Sequence, residues 1–482
     1  MLFNSLTYLS LLTIVVCFFW IIPKIFRYYL IFFSSLFFYG FWRIDFIPLL
    51  LFSTISTWLI ANKIHTNSNN KDRKKFLLLG LIINLGLLFV FKYLIFFSEN
   101  AIGFLNLLGG NFNSLTIKII LPLGISFYTF QVISYIVDVY RKIINPEKKF
   151  IIYGCYITFF PQLIAGPILR ASEVIVQFKE KKKFNFDFIV IGLRRVLYGL
   201  FFKVVIADNI APLVDASFAL PIEELSAIDV WTLAFLFGFQ IYFDFSAYSH
   251  IAIGSARMIG INFPENFNFP YFAFSPKNFW QRWHISLSSW VRDYIYLPLM
   301  GYKFQKTSLG GLGQVISLPK NQRPLFITWG LMGLWHGANW TFLIWGIYHA
   351  IIIFIYRSIN SLTKNLNVKI KFFFGWIITL PLIMLSWIPF RSESLKNCFE
   401  MWAKVINPFQ YTYLGLRENT YLITFILFIG MIINFLIIEK INIKKLLLPS
   451  LILIADILLI FILFVFTFIF FRPINQFIYF QF

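Results

Sequence analysis

Long apolar runs separated by short basic loops dominate the pattern of this chain of 482 residues. An apolar run of about 18 or more residues is long enough to cross a hydrocarbon core of about 30 Å. The pattern therefore predicts an all-α polytopic membrane protein with about ten to thirteen transmembrane or re-entrant helices, in one domain over 1–482. The runs lie at 5–23, 28–42, 46–61, 76–97, 117–140, 188–207, 228–257, 325–356, 372–390, 420–438 and 446–471.

Two basic segments orient the predicted helices. NKIHTNSNNKDRKK at 62–75 and RKIINPEKK at 141–149 are expected on the cytoplasmic side, because short cytoplasmic loops are rich in Lys and Arg. The two apolar runs between them then form one out-and-back hairpin, and three earlier passes place the N-terminus outside. The first run has no basic region before it and no small-residue cleavage site, so we interpret it as a retained span.

Two segments do not fit a simple crossing. FIIYGCYITFFPQLIAGPILR at 150–170 has basic flanks on both sides and contains helix breakers, which predicts a re-entrant or surface-lying element beside a cavity. The run 325–356 would be about 48 Å long as one straight helix. We therefore expect it to be bent or broken, with Gly333 and Gly337 as the candidate break points.

An amphipathic helix is predicted for 271–300, YFAFSPKNFWQRWHISLSSWVRDYIYLPLM. At about 100° per residue, His284 falls on the apolar stripe rather than on the polar face. This position of an ionisable residue needs an explanation. The stripe comprises Trp280, Trp283, His284, Leu287, Val291, Tyr294 and Ile295, and the opposite face comprises Arg282, Ser286, Ser289 and Asp293.

Composition agrees with a membrane protein and narrows its partners. Hydrophobic residues make up 59% of the chain and charged residues 13%, against about 25% charged in ordinary soluble domains. The net charge of +21 comes from bases in short loops, so anionic membrane lipids are the expected electrostatic partner and nucleic acid is not.

His336, in LMGLWHGANW at 331–340, is the strongest candidate for chemistry. It lies about 16 Å along its helix from Leu325, near mid-bilayer depth, and a neutral imidazole in a dry site can act as a general base. A core histidine bonded to a carbonyl is the competing interpretation. We expect four tryptophans to wall it, Trp329, Trp335, Trp340 and Trp345, and His349, about 220° further round one helix, to face elsewhere.

Other ionisable residues in apolar runs have structural interpretations. Asp138 is expected to pair with Arg141, and Lys92 to extend to the interface. Asp244, in QIYFDFSAYSHIAIG, belongs either to a packing network or to an active-site wall. Asp456, a lone acid in the last run, has no sequence-level explanation.

Familiar signatures of other catalytic classes are missing from the sequence. It contains no Walker loop, no HExxH, no G-x-S-x-G and no paired cysteines, so no metal site is predicted. The three cysteines behave as small hydrophobes, and His65 lies in a basic loop. GGLGQ at 310–314 is a weak match to a phosphate-binding loop.

Several long motifs in order make the chain resemble the membrane-bound O-acyltransferases, in particular the bacterial branch of alginate O-acetylation, peptidoglycan O-acetylation and teichoic-acid D-alanylation. One departure is Ala247-Tyr248-Ser249-His250, where that branch has Gly-Tyr-Ser-Asp. The motifs are MLFNS at 1–5, LPLGISFYTFQVISYIVDVYR at 121–141, FFPQLIAGPILR at 159–170, QIYFDFSAYSHIAIG at 240–254, FPENFNFPY at 263–271, NFWQRWHISLSSWVRDYIYLPL at 278–299, LWHGANWTFLIWG at 334–346 and FIYFQF at 477–482.

The resemblance implies a catalytic His336, a second active-site histidine at His284 and a central tunnel. It also implies a cytoplasmic thioester donor, expected to be acetyl-CoA, with no tightly bound cofactor, in a bacterial inner membrane. The acetyl group would pass, through an extracytoplasmic partner acyltransferase, to a polysaccharide such as alginate or peptidoglycan. Candidates for the tunnel or substrate wall are Asp244, Ser246, Tyr248, Trp283, Tyr294, Trp335, Asn339 and Gln162, and candidates for the donor phosphates are Lys277, Arg282 and Arg292.

Three alternatives stay open at this stage. D-alanyl transfer to teichoic acid would draw on a carrier-protein thioester instead of free acetyl-CoA. A transporter or flippase of a lipid-linked sugar would use the same cavity without chemistry. The basic residues near 277–292 can equally contact lipid headgroups.

Overall fold

A computed structural model describes residues 1–113, 119–302, 322–360, 367–437 and 449–471. The predicted phosphate-loop match at 310–314 and the terminal motif at 477–482 lie outside the described residues.

Helices occupy most of the first half of the chain, and two of them continue through a π-helical turn. They are α1 (Leu6–Ile21), α2 (Lys24–Gly40), α3 (Ile47–Thr66), α4 (Asn70–Leu88), a π-turn (Phe89–Tyr93), α5 (Leu94–Leu107), α6 (Ile125–Tyr140), α7 (Phe150–Thr158), α8 (Ala171–Lys179), α9 (Phe186–Leu200), a second π-turn (Phe201–Ala207) and α10 (Asp208–Phe218).

The second half begins with the longest α-helix of the described residues and ends with two apolar helices. The elements are α11 (Ala227–Met258), α12 (Pro276–Trp280), α13 (Ile285–Val291), a third π-turn (Arg292–Tyr296), α14 (Leu297–Leu299), α15 (Arg323–His336), α16 (Trp340–Asn360), α17 (Val368–Arg391), α18 (Leu395–Ile406), α19 (Glu418–Phe435) and α20 (Pro449–Ile469). Short 3₁₀ turns lie at Ile44–Phe46, Ile222–Glu224, Pro270–Phe272 and Pro408–Gln410.

Several of these helices are long and apolar enough to cross a membrane. Six such spans occur within the described residues, and two shorter apolar helices, Leu6–Ile21 and Ile454–Ile469, accompany them. No strand occurs in the described part of the chain. The prediction of an all-α polytopic membrane protein is confirmed. The six spans are Ile44–Thr66, Asn70–Leu107, Ala227–Met258, Trp340–Ile359, Lys369–Arg391 and Glu418–Phe435.

The centre of the bundle is α11, which is buried along most of its length. It packs directly on α9, because glycines on both helices let the backbones approach. A Cβ on Gly254 would lie 2.6 Å from the carbonyl oxygen of Gly192, and one on Gly199 would lie 2.6 Å from that of Ala247. Larger residues at these positions would force the two helices apart.

The segment 150–170 does not form a crossing helix, in agreement with the prediction of a re-entrant or surface-lying element. The helix α7 ends at Thr158, and the chain then turns through a buried irregular stretch to Leu169 before α8 begins. Gly124 lies against this stretch with a φ of 71°, and a Cβ there would collide with the carbonyl oxygen of Leu163. The buried turn therefore sits directly against the start of α6.

The prediction of one amphipathic helix over 271–300 is wrong. The chain breaks between α12 and α13, where His284 adopts a left-handed conformation with a φ of 41°. The face predicted to be polar does not lie wholly in solvent, since Ser286 and Asp293 are buried. A helical wheel assumes one continuous helix. It assigns the faces of 271–300 incorrectly because the left-handed residue changes the direction of the chain that follows it.

The overlong run 325–356 is a helical hairpin. Its break lies at Gly337, in extended conformation directly after α15, so this part of the prediction is confirmed. Gly333 is not a break point, because it lies inside α15. A Cβ on Gly333 would collide with the carbonyl oxygen of Phe342, and one on Gly346 with that of Trp329. The two glycines thus allow α15 and α16 to pack back to back.

Candidate active site

His336 is the last residue of α15, and it lies in the wall of a cavity of about 330 Å³. Its side chain is buried, with 6% of the residue exposed. The cavity, called here the first cavity, is lined by Leu2, Trp42, Lys92, Leu121, Pro122, Leu123, Gly124, Ile125, Ser126, Phe127, Ile164, Trp335 and His336. It therefore combines the end of α15 with the start of α6 and the buried turn after α7.

Aromatic rings enclose the imidazole of His336. Its ring centre lies 4.8 Å from that of Trp335, 4.8 Å from Trp345 and 5.1 Å from Phe390. Two of the four tryptophans predicted to wall His336 thus contact it. Trp329 packs instead on Trp280 and His349, and Trp340, which is exposed, donates its indole N–H to Asn100.

His349 is closer to this cluster than a single helix would allow. Its ring centre is 4.7 Å from that of Trp345, which also contacts His336. The indole of Trp280 lies 3.4 Å from His349 Nδ1. The prediction that His349 faces elsewhere is wrong, because the break at Gly337 turns α16 back along α15. Both histidines therefore contact the Trp345 ring.

Lys92 holds the backbone at the end of α15. Its ammonium donates hydrogen bonds to the carbonyl oxygens of Trp335 (2.5 Å) and His336 (3.0 Å), and Tyr93 donates to that of Leu334 (3.0 Å). The last carbonyls of a helix have no partner within it, and a cation there also meets the negative end of the helix dipole. The prediction that Lys92 extends to the interface is therefore wrong.

Replacing Lys92 by Met should lower the free energy of unfolding by about 1–3 kcal/mol, because two buried carbonyls lose a charged donor. Thermal unfolding of the purified protein in detergent measures this. Lys24→Met is the matched control, since Lys24 also donates to a carbonyl, that of Lys179, but at an exposed position. Equal unfolding midpoints for Lys92→Met and the wild type would contradict this role.

His284 is not among the residues that line the first cavity, and it is fully buried. Its Nδ1 is 3.2 Å from Oδ1 of Asn266, and that oxygen also accepts from the backbone N–H (3.2 Å) and hydroxyl (2.8 Å) of Ser286. Asn266 donates in turn to Ser249 (3.0 Å). His284 Nε2 has no hydrogen-bond partner among the described residues. Asn266 thus orients the ring, a role that the sequence analysis missed.

Trp335 lies between the two predicted active-site histidines. Its ring centre is 6.5 Å from that of His284 and 4.8 Å from that of His336. Phe127, which lines the first cavity, is 6.4 Å from His284 and nearly parallel to it. The structure therefore brings both histidines into one aromatic cluster, although only His336 lines the cavity.

The candidates on α11 lie outside the first cavity. Asp244 forms an ion pair of 2.7 Å with Lys203, which also bridges to Asp208 at 2.8 Å. Ser246 is bonded to its own helix, and Tyr248 stacks on Phe3. Of the two interpretations of Asp244, the contacts of the carboxylate agree with the packing network.

Three more candidates have contacts elsewhere. Trp283 is buried among aromatic rings, including Trp387 at 5.0 Å. Gln162 donates to the carbonyl oxygen of Tyr156 (2.5 Å) in the buried turn. Asn339 accepts from the backbone N–H of Thr341 (3.0 Å) and so caps the start of α16. None of the three lines the first cavity in the described part of the chain.

Tyr294 belongs to a second cavity of about 230 Å³. Its hydroxyl donates to Asp138 (2.8 Å), and Arg170 pairs with Asp293 (3.0 Å). The predicted partner of Asp138, Arg141, stacks its guanidinium on the Tyr294 ring at 5.3 Å, within the same cluster. The second cavity is lined by Asp138, Arg141, Ile143, Arg170, Ser172, Glu173, Ser289, Arg292, Asp293 and Tyr294.

The three basic residues predicted to bind the donor phosphates do not lie at one site. Arg292 lines the second cavity, whereas Lys277 and Arg282 do not. Arg282 instead bonds the side chain of Asn278 (3.0 Å) and the carbonyl oxygen of Asn268 (3.2 Å). Arg170 also lines the second cavity and was not predicted, although Arg170 follows the helix-breaking residues of the predicted re-entrant element.

A ladder of aromatic rings links the two cavities. Tyr294 lies 5.1 Å from Trp290, Trp290 stacks on Phe130 at 4.0 Å, and Phe130 stacks on Trp335 at 5.2 Å. The two cavities also meet opposite ends of α6, since Phe127 lines the first and Asp138 the second. The rise along α6 from Phe127 to Asp138 is about 16 Å. The two cavities are therefore about half the thickness of a hydrocarbon core apart.

Comparison with known proteins places this chain in a family. The sequence profile of the membrane-bound O-acyltransferase family matches residues 148–390. The peptidoglycan O-acetyltransferase of Helicobacter pylori is 37% identical over 76% of this chain and 71% of that protein. The probable alginate O-acetylase AlgI of Pseudomonas aeruginosa is 37% identical over 79% of this chain and 70% of that protein.

A more distant similarity extends to a different acyl group. The teichoic acid D-alanyltransferase of Bacillus subtilis is 28% identical over 50% of this chain and 60% of that protein. The matched profile covers His284, His336 and the part of the second cavity's lining that lies between Arg170 and Tyr294. The chain belongs to the membrane-bound O-acyltransferase family and is an acyltransferase.

Proposed function

We propose that this protein transfers an acetyl group from acetyl-CoA to a hydroxyl group, for O-acetylation of a polysaccharide outside a bacterial inner membrane. The observation that carries the proposal is the position of His336, a buried imidazole in the wall of a cavity large enough for a small acyl group. The names of the relatives, peptidoglycan O-acetyltransferase and alginate O-acetylase, support this substrate class.

In the proposed reaction, an imidazole nitrogen of His336 removes the proton of the acceptor hydroxyl. The hydroxyl oxygen attacks the thioester carbonyl carbon, and the carbon–sulfur bond then breaks. The thiolate takes the proton back from the imidazolium, so no net charge is created. A buried neutral imidazole suits this role because it can accept and return a proton near pH 7.

His284 is proposed as a second active-site residue that orients the reacting groups. The support is geometric: Asn266 fixes its Nδ1 side, and its Nε2 has no partner within the described residues. A buried ring nitrogen without a partner is costly unless a substrate group meets it.

We assign the nucleotide end of the donor to the second cavity, and its thioester together with the acceptor hydroxyl to the first. The second cavity lies at the end of α6 that leads into the basic segment 141–149, predicted to be cytoplasmic, and Arg141, Arg170 and Arg292 line it. Arginine side chains are suited to phosphate groups such as those of CoA. The first cavity, at the other end of α6, is then accessible from the extracytoplasmic side, where a partner acyltransferase would collect the acetyl group.

A donor exchange tests this proposal. The purified protein in lipid vesicles would receive labelled acetyl-CoA, acetyl-pantetheine or a D-alanyl carrier-protein thioester, and thiol release would be measured. We expect acetyl-CoA to be used most efficiently and acetyl-pantetheine, which lacks the nucleotide phosphates, to have a higher KM. Preference for the carrier-protein thioester would instead support D-alanyl transfer, and thiol release from none of the three would contradict the proposal.

A further inference from the structure

The indole N–H of Trp335 is a buried hydrogen-bond donor that has no acceptor in the described part of the chain. Trp335 is only 7% exposed, and its Nε1 has no hydrogen-bond partner among the described residues. Buried tryptophan N–H groups are normally bonded, because leaving one unbonded costs about 1–3 kcal/mol. Trp335 also lines the first cavity beside His336. An unbonded donor on a residue that lines a cavity can be completed by a ligand atom bound there.

The Trp335 ring is held on several sides. Phe130 stacks on it at 5.2 Å with an interplanar angle of 19°, and Phe127 meets it edge-on at 5.8 Å. The Lys92 ammonium lies 5.8 Å from the ring centre and also binds the Trp335 carbonyl oxygen. A donor fixed in this way needs no reorganisation when charge develops on a neighbouring oxygen.

We propose that the Trp335 indole N–H is a catalytic hydrogen-bond donor to the carbonyl oxygen of the thioester. This inference rests on the proposed acyl transfer at His336. As the acceptor oxygen bonds to the carbonyl carbon, the carbonyl electron pair moves to its oxygen, and the hydroxyl proton moves to His336. The oxyanion accepts a hydrogen bond from Trp335. When the carbonyl re-forms, the carbon–sulfur bond breaks, and the thiolate takes the proton from His336.

The chemistry of an indole suits this task. Its N–H is a donor only, so it cannot compete with His336 for the acceptor proton. It is also neutral, so it does not oppose the positive charge that His336 gains during the step. In a site from which aromatic rings exclude water, one such donor typically contributes about 10²- to 10³-fold in kcat.

Two replacements at position 335 isolate the N–H from the ring. Trp335→Phe removes the N–H with part of the ring, and incorporation of benzothienylalanine keeps the bicyclic shape with sulfur in place of the N–H. Trp345→Phe is the matched control. Trp345 is fully buried, its ring is also 4.8 Å from His336, and its N–H has no partner in the described part of the chain, but it does not line the first cavity.

We expect both Trp335 proteins to lose about 10²-fold in kcat with KM for acetyl-CoA close to the wild-type value, and Trp345→Phe to lose less than about tenfold. Wild-type kcat in the benzothienylalanine protein, a rise in KM alone, or equal losses at positions 335 and 345 would overturn the inference. His336→Gln is assayed in parallel. If it keeps the wild-type rate, the proposed function fails; if it is inactive while the benzothienylalanine protein is fully active, only the role of Trp335 fails.

Discussion

Replacement of His336 by alanine is expected to lower the rate of acyl transfer by about 10²- to 10⁴-fold, because the acceptor hydroxyl loses its general base. His336 lies in the cavity wall at the end of α15, and no other histidine lines the described part of that cavity. His336→Gln should be equally impaired, since an amide can form hydrogen bonds but cannot accept the proton. The measurement is thiol release from acetyl-CoA by purified protein in lipid.

His349→Gln is the matched control for His336. Both histidines are buried and contact the Trp345 ring, but His349 lies outside the cavity lining. We expect His349→Gln to keep most of its activity once equal amounts of folded protein are compared. Equal losses in the two variants would show that His336 acts through packing rather than through proton transfer.

The second large effect is expected on stability. Lys203 is 2% exposed and bridges two carboxylates, Asp208 at 2.8 Å and Asp244 at 2.7 Å. Lys203→Met leaves both acids without their cation, and removal of one partner of a buried ion pair typically costs about 3–5 kcal/mol. We expect a much lower thermal unfolding midpoint in detergent and poor insertion into membranes.

Two further variants separate charge from packing at this position. Adding Asp208→Asn and Asp244→Asn to Lys203→Met removes the uncompensated acids and should restore much of the lost stability. Lys396→Met is the control, since Lys396 pairs with Glu400 at 3.8 Å on the surface, with 81% of its side chain exposed. Exposed pairs contribute about 0–1 kcal/mol, so this control should unfold close to the wild-type temperature. A similar loss in Lys203→Met and Lys396→Met would contradict the role of the buried bridge.

The apolar runs and glycines made much of the fold predictable. Each run of suitable length contains a helix, because a hydrocarbon environment leaves the backbone few alternatives. The break at Gly337 and the buried turn at 159–169 follow from a run that is too long and from breakers between basic flanks. Lys203 interrupts the apolar run 188–207, so the reasoning that singled out Lys92 would have found it as well.

Other features depend on tertiary contacts that periodicity does not contain. The left-handed conformation of His284 lies at a non-glycine residue, and no local pattern predicts it. Asp456 pairs with Arg194 on another helix, a contact across 262 positions of the chain. Lys92 meets the end of α15 in the same way. The sequence therefore singled out His336, His284 and Trp335 individually as candidates, whereas their packing into one aromatic cluster and the two cavities required the fold.

The most direct test of the account uses membrane vesicles from cells that produce the protein with its native partners. Acetyl-CoA labelled in the acetyl group is added, and released CoA thiol and alkali-labile label in the polysaccharide fraction are both measured. The account predicts equal molar amounts of the two in wild-type vesicles and neither above background in His336→Gln vesicles. Equal label transfer by both proteins, or thiol release without any labelled ester in the wild type, would contradict it.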